Sequence, residues 1–311
     1  MAMRKAALLG VLSVAAVIFP SVGAAHPLPG APRCEIFPPN NPWNQRVDRL
    51  PVAGDSARMI ASIGLNTSVH PDFGTVYNGA PNGIPFAVVG RHTRRVPVHF
   101  GYADESDHGP YPLPSNVAIE GGRHSDGDRH VIVVDRDSCR DYELFSAFPH
   151  NGGRFWTAGS GAIFNLRSNH LRPASWTSAD AAGLPILPGL ARYDEAARGV
   201  IDHALRFTAH CTAPRYVYPA RHEAGSCPSG PPMGLRVRLK ASVDISHLPA
   251  QARVVAKALK VYGLMLADNG SDWYISGAPN PRWSDDQLHQ LDRLTGRDFE
   301  VVDTRSLPHP S

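Results

Sequence analysis

Several absences bound this chain before anything it contains is weighed. After the N-terminal 20 residues no segment is long and uncharged enough to span a bilayer, for which a helix needs about 20 predominantly apolar residues. Neither sign of charge dominates: 31 Lys and Arg face 28 Asp and Glu, scattered instead of grouped, which argues against nucleic acid, whose phosphates require a concentrated basic face. Cysteine is scarce, and the four present include no Cys-x-x-Cys pair, which argues against a zinc or redox site built on sulfur. Gly-x-Ser-x-Gly, His-Glu-x-x-His and phosphate-loop motifs are missing. No internal repeat or low-complexity tract supports a propeller or solenoid.

What is present begins with an export signal. Arg4 and Lys5 precede the apolar run Ala6 to Pro20, followed by small residues to Ala25, so residues 1–25 read as a cleaved secretory peptide. About 285 residues remain, enough for a real hydrophobic core. In an exported chain, Cys34, Cys139, Cys211 and Cys227 imply two disulfides. Of three connectivities, Cys34–Cys139 and Cys211–Cys227 are favoured: the second closes a short Pro- and Gly-containing loop, and the first staples an N-terminal arm to a hairpin tip.

With 28 glycines and 29 prolines, the chain has the loop-rich composition of a mainly β protein. Residues 26–51 read as an extended arm anchored by Trp43, and residues 52–311 as a single β-rich domain. A short helix is predicted at Ser56–Gly64. Strands are predicted at Ile84–Val89, Arg95–Phe100, Val117–Glu120, His130–Asp135, Tyr142–Phe148, Phe155–Thr157, Ala162–Asn165, Ala204–Thr208, Tyr216–Tyr218, Leu235–Lys240 and Trp273–Ser276. Val131 to Val134 is continuously apolar, as in a strand covered on both faces. Helical spacing of Val255, Leu259, Tyr262 and Leu266 predicts a helix over Pro249–Ala267, and Ser284 with Gln287 has the spacing of a capping box opening a second. The fold class expected is a β-sandwich or jelly roll with two helices near its C-terminus.

The densest polar cluster is His124, Asp126, Asp128 and His130, alternating so that an extended backbone would point all four one way. A divalent metal there is weighed and set aside, because Gly127 breaks the alternation. Asp128 and His130 alone, about 7 Å apart along a strand, would suit a general base. Glu143, beside apolar Phe145, is a carboxylate on a covered face; with a loop at Asp137–Arg140 it falls opposite Val134, roughly 13 Å from His130. His203 and Arg206 are further catalytic candidates, and Tyr218, Arg221 and His222 are candidate substrate contacts of the kind a uronate-cleaving lyase needs. Trp176, with Trp156 and Trp283, could stack on sugar rings or fill the core. The long Pro-rich loop Arg172–Gly199 is of the length that is often functional.

The stretches Gly127–Asp135 and Leu266–Pro279 resemble those of a widespread group of secreted bacterial proteins, over a span from about Cys34 to Asp303. The resemblance implies export and one coherent domain, and contributes neither a mechanism nor a catalytic residue. The expectation that follows is a secreted, extracellular, monomeric polysaccharide-degrading enzyme, a glycoside hydrolase or polysaccharide lyase without cofactor or metal. Its partner is an extracellular polysaccharide, with no nucleic acid and no membrane span. The alternative is a non-catalytic carbohydrate- or cell-wall-binding protein, which would carry an exposed row of Trp and Tyr.

Overall fold

Two strands with continuously apolar sequences organise the molecule, each at the middle of its own sheet. The computed structural model describes residues 27–310; the secretory peptide read at 1–25 lies outside them. In chain order the strands are β1 (His70–Asp72), β2 (Val76–Tyr77), β3 (Ala80–Pro81), β4 (Phe86–Val89), β5 (Val98–Phe100), β6 (Val131–Asp135), β7 (Arg140–Phe145), β8 (Phe148–His150), β9 (Phe155–Ala158), β10 (Ser160–Asn165), β11 (Leu205–Ala209), β12 (Arg236–Leu239), β13 (Leu264–Asn269), β14 (Tyr274–Ser276) and β15 (Phe299–Val301). They form a six-stranded sheet ordered β1-β14-β11-β13-β12-β15, a four-stranded sheet β10-β7-β6-β4, a three-stranded sheet β5-β9-β8 and the hairpin β2-β3. The described residues are thus mainly β, with four α-helices among them: α1 (Ser56–Ile63), α2 (Tyr193–Arg198), α3 (Ala250–Val261) and α4 (Asp285–Leu288). Among the described residues no helix is long and apolar enough to cross a membrane.

All five residues of β6 are buried, as its unbroken apolar run predicts for a strand covered on both faces. Ile132 and Val134 join a large core that includes β11, β12, β13 and the inner faces of α1 and α3. Val131 and Val133 point the other way, into a smaller core with Val98 and Trp156 of the three-stranded sheet. Alternation along one strand therefore ties three sheets together.

Both favoured disulfides are present, Cys34–Cys139 with Cα atoms 5.3 Å apart and Cys211–Cys227 at 5.6 Å. Cys139 sits in the β6–β7 turn and tethers the arm there. The arm itself is turn-rich and packed in, not extended: Trp43 is buried, and the Asn44 side-chain amide donates to the carbonyls of Ile36 and Pro38 at 3.1 and 3.0 Å. Asparagine thereby satisfies carbonyls that an irregular buried segment would leave bare.

Helix α1 agrees with expectation. The helix predicted over Pro249–Ala267 stops at Val261, and Leu264–Asn269 is β13. Gly263 makes the break: it has φ +71°, and a Cβ on it would lie 2.1 Å from the Val237 carbonyl. Ser284 caps α4 as expected, accepting from Gln287 N–H at 3.4 Å, but the Gln287 side chain accepts from Gln251 N–H on α3 instead of reaching back. Two predicted strands are absent: Val117–Glu120 is loop, and Tyr216 makes only an isolated bridge to Met233. The β6–β7 turn lies one residue earlier than predicted, which moves the pairing by two, so Glu143 faces Ile132, not Val134.

Candidate functional site

A polar cleft opens where β1, β11, β13 and β14 meet the loops that lead into β6. Its walls carry Asp72 from β1, Arg206 and Thr208 from β11, Asp268 from β13, Tyr274 and Ser276 from β14, and Glu120, Asp128 and His130 from the segment preceding β6. The hollow they enclose is about 230 Å³. A second hollow, of about 260 Å³, adjoins it and shares Asp268 and Asn269; Tyr102, Glu105, Phe145, Asp180 and His222 are among its walls. Asp268 stands between the two.

Arg206 fixes the floor. It donates Nε and Nη2 to the two oxygens of Asp180 at 3.0 and 2.7 Å, Nη1 to Ser276 Oγ, and Nη2 more distantly to Asp268 Oδ2 at 3.5 Å. Both Asp180 and Arg206 are buried, so the forked pairing replaces the water each has lost. The loop carrying Asp180 is held on three sides. Ser178 Oγ accepts from Asp180 N–H at 2.9 Å, Ala182 N–H donates to Ala267 O of β13 at 2.9 Å, and His130 Nε2 donates to Ala179 O at 3.0 Å. The other imidazole nitrogen, Nδ1, donates to Glu120 Oε2 at 2.6 Å, and the same oxygen accepts the His130 backbone N–H at 3.2 Å. Both ring nitrogens are therefore committed.

The carboxyls of the cleft are driven apart. Burial pushes Asp268 well above the carboxylate range, and the charge of Asp180 beside it pushes the same way, against the pull of Arg206. Burial also raises Asp72, partly countered by His70. Burial works against the ionised form of Glu120, but the charge and hydrogen bond of His130 outweigh it and hold this carboxyl below its ordinary value. For His130, burial disfavours the cation, yet Glu120 overcomes it and the pKa is pushed up to about 9. The cleft thus sets two carboxyls against each other: Asp268, whose proton is held more tightly than usual, and Glu120, whose ionised form is favoured by the His130 imidazole.

Three residues singled out in the sequence, Asp128, His130 and Arg206, come together here. The cause is not the four-residue alternation: Arg129 has φ +53°, which breaks the extended run, and His124 and Asp126 are exposed. Among the described residues no group of three or more His, Cys, Asp or Glu side chains is placed to hold a metal ion.

The structure places the remaining candidates elsewhere. Glu143 is fully buried in β7; both its oxygens accept the Ile186 N–H at 2.9 Å and Oε1 that of Leu187 at 2.8 Å. Two residues before it, Asp141 is raised well above the usual range by burial and by the Glu143 charge. His203 is buried against Glu195, with Nε2 3.1 Å from Oε2. Tyr218 stacks on His309 at 3.9 Å between ring centroids. Arg221 donates to Arg172 O at 2.8 Å, and the Arg172 guanidinium lies 5.5 Å from the half-buried Trp176 ring. His222 lines the second hollow, its Nδ1 donating to Ala181 O at 2.7 Å. Trp156 and Trp283 are core residues.

Sequence reasoning missed Asp72, Glu120, Asp180 and Asp268 as site residues. Asp180 lies in the long Pro-rich loop flagged by its length. Asp268 was hidden by the overlong helix: once Gly263 is taken as its end, Leu264 to Ala267 reads as a buried strand that delivers Asp268 at its exit.

Comparison with known proteins adds no identification: no family model, curated protein or solved structure matches the chain.

Proposed function

We propose that the chain is an exported polysaccharide-degrading enzyme of the hydrolytic kind, with Asp268 as general acid and Glu120 as its carboxylate partner. The observation that carries this reading is one cleft holding two carboxyls in opposite surroundings: Asp268, beside Asp180 and with only a 3.5 Å contact to Arg206, is pushed up, and Glu120, 2.6 Å from His130 Nδ1, is held low. Glycosidic hydrolysis needs one carboxylic acid to protonate the leaving oxygen and one carboxylate to draw a proton from water or to attack the sugar. Water is consumed and the glycosidic C–O bond breaks: Asp268 gives its proton to the leaving oxygen, and the proton of the attacking water goes to Glu120 in direct displacement, or to Asp268 where Glu120 has first attacked the sugar. In this reading His130, with both nitrogens engaged and its pKa near 9, is not the base; it holds Glu120 ionised and positions the Asp180 loop. Asp128 and Asp72 face the substrate from the cleft wall. The two disulfides suit an oxidising, extracellular setting.

Hydrolysis is favoured over elimination because the Arg206 guanidinium is engaged by Asp180 and Ser276 and is not free to neutralise a uronate. A non-catalytic binding role would call for no paired acid and base, and four of the tryptophans that could have served it, Trp43, Trp156, Trp273 and Trp283, are buried. The test is mass spectrometry of products after incubation with neutral glucans, arabinans, uronans and cell-wall polymers. Products carrying one added water per cut are expected; unsaturated products would make it a lyase, and no products from any polymer would leave the binding protein.

A further inference from the structure

Asp268 does not sit at the bottom of a closed pocket. The hollow walled by Asp72, Glu120 and Asp128 and the one walled by Asp180 and Tyr102 meet at Asp268 and Asn269, and the second continues, through shared Glu105 and His222, into a third of about 500 Å³ bordered by Ser175, Arg215, Tyr216 and Glu223. The three hollows thus adjoin in series, with the proposed acid on the boundary between the first two. Each has a tyrosine on its wall: Tyr274 in the first, Tyr102 in the second, Tyr216 in the third. Tyr102 is 57 % exposed, unlike the buried tryptophans, and so offers a ring face to a ligand.

The charges along the groove are equally selective. In the first hollow Arg206 is paired with Asp180 and His130 with Glu120, leaving Asp72 and Asp128 without a cationic side chain bonded to them among the described residues. In the second, His222 faces Glu105 at 3.7 Å. Of the cations that line the three hollows, Arg215, in the third, has no carboxylate on it among the described residues; it donates to Pro228 O at 3.3 Å. A polyanionic chain would meet Asp128, a carboxylate with no cationic side chain bonded to it among the described residues, beside the reacting bond, and such like-charge contacts are unfavourable.

We propose, resting on the hydrolase reading, that the groove takes an extended, uncharged polysaccharide across all three hollows and that Asp268 cuts it internally, not from an end. An open groove with binding surface on both sides of the acid admits the middle of a chain, whereas end-wise cutting needs a wall that stops it.

The experiment has two arms. Wild-type protein is incubated with neutral polymers and with polygalacturonate, and both viscosity and new reducing ends are followed. Internal cutting gives an early collapse of viscosity with few new ends and a ladder of oligosaccharides, from neutral polymers only. In the second arm, binding of neutral oligosaccharides of increasing length to D268N is measured calorimetrically; affinity should rise with length, and Tyr216→Ala in that background should weaken the longest by about fivefold while leaving the shortest unchanged. Release of single sugars from the outset, affinity independent of length, or preference for the uronan each overturns the proposal. Absence of cleavage from every polymer overturns the hydrolase reading and the internal cut with it. Length-dependent binding in the second arm then tells a groove without that chemistry from no groove at all.

Discussion

Asp180 and Asp268 share one guanidinium unequally: Arg206 gives Asp180 two short hydrogen bonds, at 2.7 and 3.0 Å, and Asp268 a single contact at 3.5 Å. The less favoured carboxyl, Asp268, is pushed up by burial and by the neighbouring Asp180 charge, since two adjacent carboxylates in a buried site cannot both ionise cheaply. Burial, the adjacent Asp180 charge and the distance from Arg206 thus combine to make Asp268 a weaker acid than an ordinary aspartic acid.

Replacing Asp268 with Asn should reduce turnover by about 10²-fold or more, the range of a lost general acid, without lowering the thermal midpoint. The wild-type rate should be present while Asp268 is protonated and fall as pH rises through its raised pKa. A retained alkaline limb in the residual D268N activity would assign that limb to another group.

Asp180→Asn should act on both stability and pH profile. It leaves the buried Arg206 without its main counter-charge, for which a loss of about 3–5 kcal/mol is expected in denaturant unfolding. It also removes the neighbouring negative charge that raises Asp268, so the alkaline limb should move to lower pH. An unmoved limb would mean that Asp180 does not tune the acid.

The His130–Glu120 pair predicts a stability window. His130 is raised from 6.5 to about 9 in the fold, so its contribution is complete below pH 6.5 and is lost as pH rises through about 9. Glu120 is lowered, so its contribution is present above its ordinary value of 4.5 and is lost as pH falls through the folded value. The histidine term is on the order of 3 kcal/mol, from the shift to about 9. Urea unfolding at pH 6 and pH 10 should differ by about that amount in the wild type, and the difference should largely vanish in Glu120→Gln.

Glu143→Gln should destabilise by about 1–3 kcal/mol, because the amide nitrogen that replaces Oε2 donates and cannot accept the Ile186 N–H, leaving Oε1 alone to hold Ile186 and Leu187. The thermal midpoint is the readout. An unchanged midpoint with no activity would instead make Glu143 part of the catalytic machinery.

Serine pairs at the two disulfides should differ. Cys34–Cys139 spans 105 residues and Cys211–Cys227 spans 16, so chain entropy gives the first the larger effect, about 4.7 against about 3 kcal/mol. Comparable losses in calorimetry would point to native-state effects in place of loop length.

Sequence by itself determined what depends on neighbours along the chain. The unbroken run Val131 to Val134 gave a strand covered on both faces, Ser56 to Ile63 an amphipathic helix, Ser284 a cap, and the cysteine spacing a disulfide pairing that the fold adopts. It failed where one backbone angle decided matters: Gly263 ended a helix that periodicity alone would have continued, and Arg129 turned a chain that alternation would have kept straight. Tertiary structure alone decided the site. Asp72, Glu120, Asp180 and Asp268 come from four distant segments, and no local pattern records that β11 lies between β13 and β14, or that the Asp180 loop closes over Arg206. The protonation of each group is set by burial and by charges across those contacts, which exist only once the chain has folded.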